Sequence, residues 1–395
     1  MAVGLKVLFL QDHRETGGAA RAANRFAAGL RKLGVEVGVA AGDRVGEGKD
    51  YFVTGKPVRG CGRVRELFQN TDYKKKSREN RANESWRAAI RDFQPDLIWI
   101  HNIQGAFKWG WSLEMVKQAL SSAPVLWTLH DMWALGNGPS YFSESELKQR
   151  WNGSPLNELR PCMKRGRCTI LTPSVWLRDL VRSVDAGPCE AWPNPLDLEV
   201  FHPGPRETIR QELGLRQQEI FLLAAAENLA DPRKGIDLLA EAWKQIYKIP
   251  GVRLGLMGRN CPPILKNDSR VINFGPVNSE KRVAELMVAA DLFVHPAKVE
   301  SYGLVLEEAQ ACGTPVLAFG GGGVNETLEN GATGWLLPKY SSEILSSTLK
   351  QVLAKPADLG KLRQPARNLM EQKHGPNKFQ KRWNELVALT GLFPG

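Results

Sequence analysis

Asp291-Leu-Phe-Val-His-Pro-Ala-Lys-Val-Glu300-Ser-Tyr-Gly-Leu-Val-Leu-Glu-Glu308-Ala-Gln-Ala-Cys-Gly-Thr-Pro-Val-Leu-Ala318 is the stretch that decides the fold. Its apolar run at 291–296 reads as a buried strand, 304–312 as a helix, and 315–318 as a second strand entered through a Gly-Thr-Pro turn. A strand–helix–strand unit of this kind builds a parallel sheet, and ligands of open α/β sheets bind at the carboxyl edge of the strands. Glu300 falls in the loop at that edge and Glu308 falls on the helix that follows. Gly303 lets the backbone come close to a ligand, and the N–H groups of Leu304 and Val305 open the helix, which favours an anion. Two acids flanking an anion site suit a phosphorylated sugar. Glu307 points about 100° away from Glu308 on a helix and reads as a surface residue.

Outward from this unit the same alternation recurs. In the first half, strands are expected at 6–10, 35–40, 96–101, 125–130 and 170–172, with helices at 17–33 and from a Ser174 cap through 181. The proline-rich segment 191–203 breaks the rhythm. Strands then follow at 220–225, 252–257, 271–274, 292–295 and 315–318, with helices at 235–247, 279–289, 304–312, near 325–330 and at 342–353. The expected fold is α/β: two Rossmann-like domains with parallel sheets facing across a cleft. Their bounds are 1–190, a connection at 191–203, and 204–375. An amphipathic helix at 376–395, carrying Phe379, Trp383, Leu386 and Val387, is expected to pack back towards the first domain. Trp99, Trp109, Trp111, Trp127 and Trp133 read as core.

The chain has 395 residues, enough for two domains, with 43% hydrophobic and 24% charged residues. No stretch of about 18 uncharged apolar residues is present, and the N-terminal sequence lacks a signal-peptide layout. The six cysteines are scattered, with Cys162 and Cys168 the only close pair and no histidine beside them at zinc-finger spacing. A reduced cytoplasmic setting is expected. The net charge is +11. Lys56, Arg59, Arg63, Arg65, Lys74, Lys75, Lys76, Arg78, Arg81, Arg87 and Arg91 crowd one region, which reads as a solvated face or as a surface for anionic lipid at the inner face of a membrane. No nucleic-acid-binding module is recognisable, and no nucleic-acid partner is expected.

Three segments suit phosphate. Glu300–Glu308 is one. Thr16-Gly-Gly-Ala-Ala-Arg21, with Gly17 and Gly18, opens the first helix; it matches neither dinucleotide nor P-loop spacing, which counts against a dehydrogenase or P-loop enzyme. Asp231-Pro-Arg-Lys-Gly235 places Arg233 and Lys234 just before a helix, where two cations can neutralise a diphosphate.

With Ala311-Cys-Gly-Thr-Pro315, Gly320-Gly-Gly-Gly-Val-Asn-Glu326, Gly331-Ala-Thr-Gly-Trp335, Pro193-Asn-Pro-Leu-Asp197 and Phe201-His-Pro203, these segments resemble the donor half of retaining glycosyltransferases of family 4, with the GT-B fold. Thr128-Leu-His-Asp-Met-Trp133 and Pro173-Ser-Val-Trp-Leu177 resemble the branch that builds bacterial exopolysaccharide and lipopolysaccharide.

The resemblance implies a hexosyl transfer from a nucleotide sugar, UDP-linked by preference, to a glycan, lipid-linked or small-molecule hydroxyl. Glu308 would accept from ribose hydroxyls, Glu300 would orient the transferred sugar, and Arg233 and Lys234 would stabilise the departing diphosphate. Gly303, Leu304 and Val305 would add backbone donors, and Gly17 and Gly18 would close on the diphosphate. His130 would lie near the donor sugar and acceptor; on its residues alone it is equally a strand-end structural histidine, as His101 is read. Asp131 reads as a turn cap. Glu326 either contacts the sugar or caps the next helix. Asn228 stands where family members often carry an arginine. No Asp-x-Asp motif stands out, and neither a metal nor a cofactor is expected. The resemblance implies front-face attack; a carboxylate nucleophile is the other route to retention. The alternatives are a nucleotide-sugar epimerase of the same architecture and an inactive nucleotide-sugar-binding protein.

Overall fold

The computed structural model describes residues 4–43, 50–54, 71–136, 138–163, 167–246 and 248–390. Lys56, Arg59, Arg63 and Arg65 of the basic region, and the side chain of Lys74, lie outside what is described, as does Tyr247 at the end of one expected helix. The chain divides into two compact units, Met1–Pro195 with Phe379–Gly395, and Leu196–Lys378.

The first unit holds a seven-stranded sheet of β1 (Lys6–Gln11), β2 (Glu36–Ala41), β3 (Asp50–Phe52), β4 (Leu97–Ile100), β5 (Val125–Thr128), β6 (Cys168–Thr172) and β7 (Cys189–Ala191), in the order β3-β2-β1-β4-β5-β6-β7. The second holds six strands, β8 (Ile220–Asn228), β9 (Val252–Arg259), β10 (Val271–Gly275), β11 (Leu292–His295), β12 (Val316–Phe319) and β13 (Gly334–Leu337), in the order β10-β9-β8-β11-β12-β13. Every strand pairing in both sheets is parallel. The central strands are predominantly apolar because helices cover both faces: each residue of β4, β5, β11 and β12 is buried.

Both sheets reverse direction of growth at one point. The chain lays β1, β2 and β3 outward and returns to the other side of β1 with β4; it repeats the manoeuvre with β8, β9, β10 and β11. The carboxyl ends of β1 and β4, and of β8 and β11, therefore flank a switch point, where neighbouring loops leave in opposite directions and open a crevice.

The C-terminal helix Lys378–Thr390 belongs, from Phe379, to the first unit. Trp383 is 2% exposed and stacks on Trp99 at 6.2 Å, while Phe379 lies 5.5 Å from Trp192. Gly29, on the helix Gly18–Lys32, has no room for a Cβ because the Phe379 ring lies over it.

Two differences from the sequence expectations have physical causes. The helix expected near 325–330 is only a short 3-10 turn, Gly322–Glu326. Its carbonyls and those just beyond are taken by side chains: Thr327 Oγ1 donates to Val324 O at 2.8 Å and Gln310 Nε2 to Thr327 O at 2.9 Å. A helix Pro356–His374, interrupted in composition by Pro365, was not anticipated and packs on the helix Leu304–Ala311.

Trp383→Ala should cost the first unit about 3–5 kcal/mol, the range for deleting a buried aromatic. Hydrogen exchange would show β1 and β4 less protected; unchanged protection there would refute the docking of this helix.

Candidate active site

In the second unit, the loops after β8 and β11 meet at the switch point. Asp231 caps the 3-10 turn Pro232–Lys234 by accepting from Arg233 N at 3.0 Å, and Gly235 ends it in the left-handed region at φ +65°. A side chain at Gly235 would collide with the Pro296 carbonyl, so only glycine lets this loop lie against the β11 loop. Lys298 N then donates to Arg233 O at 2.9 Å, tying the loops together. The result brings Lys234 Nζ onto Glu300 Oε1, with His295 Nε2 at 3.6 Å from the same oxygen.

Glu300 is 9% exposed. Burial alone would raise its pKa, but Lys234 first and His295 next outweigh that and hold the carboxyl at about 2. Glu300 is thus an ionised acceptor, and Lys234 a cation already partly neutralised. The glycine-rich run backs this loop: Gly323 N donates to Glu300 O at 3.0 Å, and a Cβ on Gly323 would strike Ser301 O. Gly303, at φ +89°, opens the helix Leu304–Ala311, whose first positions, Leu304 and Val305, present N–H groups without intrahelical acceptors.

Other expected residues fall differently. Arg233 is exposed and pairs with Asp231 at 2.7 Å rather than joining Lys234 on Glu300. Asn228 uses its side-chain oxygen locally, accepting from Ala230 N at 3.1 Å and Asn260 Nδ2 at 3.0 Å. Glu308 is 1% exposed. Glu307, expected at the surface, is instead fully buried, because the helix Pro356–His374 covers that side; it accepts from Tyr302 Oη at 2.5 Å, Lys373 Nζ at 2.9 Å and His374 Nε2 at 2.8 Å. The carbonyl of Glu326 accepts from Lys373 at 2.5 Å. Sequence inspection missed His295, Lys373 and His374. A basic last helical turn was the only local signal for the latter two, and it indicates no partner.

In the first unit, Gly17 precedes the helix Gly18–Lys32 at φ +93°, and a Cβ on Gly18 would meet open space. The carboxyl edge beside it is laced with polar groups, and Asp12, Arg14, Asn24 and Asp50 among them were not expected there from the sequence. Asp12 accepts from His13 N at 2.8 Å and Gly105 N at 3.1 Å, and burial raises its pKa. Arg14 donates to Asp50 at 2.8 Å and to Asn24 at 2.6 Å. His130 and His101 join at 2.9 Å between Nε2 and Nδ1, with rings stacked 5.2 Å apart. His101 is fully buried against Phe9 and Trp99, and Asp131 caps Trp133 N at 2.9 Å while accepting from Gln104 at 2.8 Å. Burial lowers both histidines, His130 to about 4, so both rings are neutral at pH 7. Cys162 and Cys168 are free thiols. On the described helix Thr71–Phe93, Ala82, Trp86, Ala89 and Phe93 face the core while Lys75, Lys76, Arg87 and Arg91 are exposed. Among the described residues no helix is long and apolar enough to cross a membrane.

Residues 205–369 match the family model for glycosyl transferases group 1, and residues 16–200 match that for glycosyltransferase family 4. A D-inositol 3-phosphate glycosyltransferase of Mycobacteroides abscessus is 34% identical over 172 residues, 40% of this chain and 38% of that protein. One of Rhodococcus erythropolis is 32% identical over 181 residues, 42% and 40% of the two chains. The match thus spans about two fifths of these relatives' length. Among solved structures, sucrose-phosphate synthase from Thermosynechococcus elongatus superposes with a TM-score of 0.77 at 20% identity, covering 98% of each chain. Anabaena HepE in complex with UDP-glucose gives 0.72 at 20% identity, covering 97% of this chain and 99% of that one.

The histidine pair sets a pH dependence. In the unfolded chain each ring takes a proton near its ordinary 6.5, whereas His130 in the folded chain stays neutral down to about 4. The unfolded chain binds more protons between those values, so stability falls as pH is lowered through that window. The thermal midpoint of the first unit should drop between pH 7 and pH 5, and less steeply in His130→Asn. That comparison separates the histidine from Asp12, whose raised pKa acts in the opposite sense. Parallel profiles for the two proteins would overturn this account.

Proposed function

The chain belongs to the family 4 glycosyltransferases and has their GT-B fold, and on that premise we propose that it moves a hexosyl group from a nucleotide sugar to a hydroxyl acceptor. Configuration is retained, and no metal ion takes part. The observation that carries this proposal is the Lys234–Glu300 pair at the β8/β11 switch point. A cation held there by a buried carboxylate is placed for a leaving diphosphate, and the carboxylate is an acceptor for sugar hydroxyls.

Roles follow from that pair. On donor binding Lys234 turns its charge from Glu300 to the diphosphate, where negative charge grows as the glycosidic carbon–oxygen bond breaks. The N–H groups of Leu304 and Val305, freed to face a ligand by Gly303, add to that stabilisation. Arg233, exposed beside Lys234, supplies a second cation, and Gly17 and Gly18 a helix N-terminus in the first unit. Asn228 serves the donor through the shape of its turn. Glu308, 1% exposed, receives the ribose hydroxyls through its carboxylate. The acceptor hydroxyl attacks from the face of the departing phosphate, which takes its proton, and His130 orients it. UDP-sugars are the favoured donors, since a protein of the same fold was crystallised with UDP-glucose. The acceptor is a glycan, a lipid-linked sugar or a small polyol, and the enzyme works in the cytoplasm.

A nucleotide-release screen over UDP-, GDP- and ADP-sugars should find one active donor series, unaffected by EDTA. Lys234→Met should lower kcat by roughly 10²–10³, the scale for losing a transition-state charge contact. Glu308→Ala should raise the donor KM. Activity abolished by EDTA and restored by magnesium would sink the metal-free mechanism, and release unaffected by Glu308→Ala would sink the donor site.

The exposed cations of the helix Thr71–Phe93 support a second, separable proposal, that the first unit rests against anionic lipid at the inner face of a membrane. Sedimentation with vesicles containing phosphatidylglycerol should capture the protein at low salt and release it at high salt. Capture indifferent to lipid charge would exclude this role.

A further inference from the structure

The unexpected feature of the second unit is a complete charge hub behind the donor loop. Glu307 has no exposed surface, yet both of its oxygens are used: Oε1 accepts from Tyr302 Oη and Lys373 Nζ, and Oε2 from His374 Nε2. Burial pushes the Glu307 carboxyl up, but His374, Lys373 and Tyr302 outweigh it and hold the group at about 2.

Such a hub is a poor choice for stability alone. Removing ions from water costs several kcal/mol apiece, and well-packed apolar side chains of similar volume usually do as well or better. What a hub of this kind provides is fixed geometry, because each group must keep its partner. Its connections show which geometry is fixed. Tyr302 lies between Glu300 and Gly303, in the turn that sets Glu300 opposite Lys234. Lys373 also donates to Glu326 O, at the end of the glycine-rich turn whose Gly323 N holds Glu300 O. The turn that carries Glu300 and the glycine-rich turn bonded to it are thus both gripped from behind by residues of the helix Pro356–His374.

We infer that Glu307, Lys373 and His374 are positioning residues for the donor sugar. They touch no substrate; they hold Tyr302 and Glu326 O so that Glu300 meets the sugar in one orientation. This inference rests on the donor assignment made above, but its consequences can be separated from it.

Glu307→Gln removes the central charge and risks unfolding, so the decisive variants are milder. Tyr302→Phe deletes one hydroxyl and keeps the ring; Lys373→Met deletes the cation and keeps the stem. Two measurements apply to each. Hydrogen exchange should speed up by about tenfold or more across residues 300–304, while β8 and β9 keep their wild-type protection. With the donor found by the release screen, kcat should fall by about tenfold or more, while the affinity for UDP, read by calorimetry, shifts less than about threefold. A merely structural role would lower the thermal midpoint and leave kcat of the folded protein alone. His374→Gln, which can still donate to Glu307, should recover most of the activity lost in His374→Leu.

Folded Tyr302→Phe and Lys373→Met proteins with wild-type exchange at 300–304 would overturn the inference whatever the enzyme's substrate. Faster exchange there in a protein whose wild type turns over no nucleotide sugar would uphold the positioning role and refute the donor assignment instead.

Discussion

The pairing of Lys234 with Glu300 is the constraint around which the second unit is arranged. A carboxylate this buried stays ionised only with a cation at hand, and the cation comes from the neighbouring strand's loop rather than from nearby sequence. Bringing two such loops into contact leaves no space for side chains at the crossing. Gly235 lies against the Pro296 carbonyl and Gly323 against the Ser301 carbonyl, and at either position a Cβ would push the loops apart. The Lys298-to-Arg233 and Gly323-to-Glu300 backbone bonds then use the polar groups that close approach would otherwise strand. The glycines, the backbone bonds and the ion pair form one solution to a single problem.

The two adjacent glutamates of the helix Leu304–Ala311 show how a short helix can carry charge inside a core. From Leu306 to Ala311 every residue is buried, so this helix has no solvent face on which to place an acid. Glu307 is tolerated because a tyrosine, a lysine and a histidine converge on it. Glu308, next in sequence and 1% exposed, points about 100° away from it around the helix. The protein therefore holds one carboxylate for structure and, on the proposed function, another for ligand, one residue apart.

Much of this was legible in the sequence. The central strands of both sheets are continuous apolar runs bounded by turn residues, and their order gave two doubly wound sheets. The strands that went unseen, Asp50–Phe52, Cys189–Ala191 and Gly334–Leu337, are short and lie at sheet edges. An edge strand is defined by the neighbour that offers it hydrogen bonds, and its own pattern is weak. The switch-point loops were placed by their position at strand ends, and the roles of their residues came from the resemblance to family 4 glycosyltransferases. Glu307 was misplaced for a different reason. Glu307 and Glu308 are about 100° apart on their helix, but the helix Pro356–His374, whose internal Pro365 weakens its own helical signal, covers the side assigned to water. Burial is a property of the pair of helices and cannot be read from one.

The two sheets share a topology but differ in chemistry at their carboxyl edges. At β8 and β11 the edge carries a charged pair, Lys234 with an ionised Glu300, and helix N–H groups beside it. At β1, β4 and β5 burial works against charge: His101 and His130 are neutral, and Asp12 is shifted towards its protonated form. An edge with fixed charges recognises an anion and can stabilise more negative charge as it develops. Neutral imidazoles and a weakly acidic carboxyl exchange hydrogen bonds with hydroxyl groups, and the Arg14 guanidinium at this edge is already paired with Asp50. The same strand order supplies both edges because the sheet sets only where the loops emerge, and the loop residues decide whether charge is kept or suppressed.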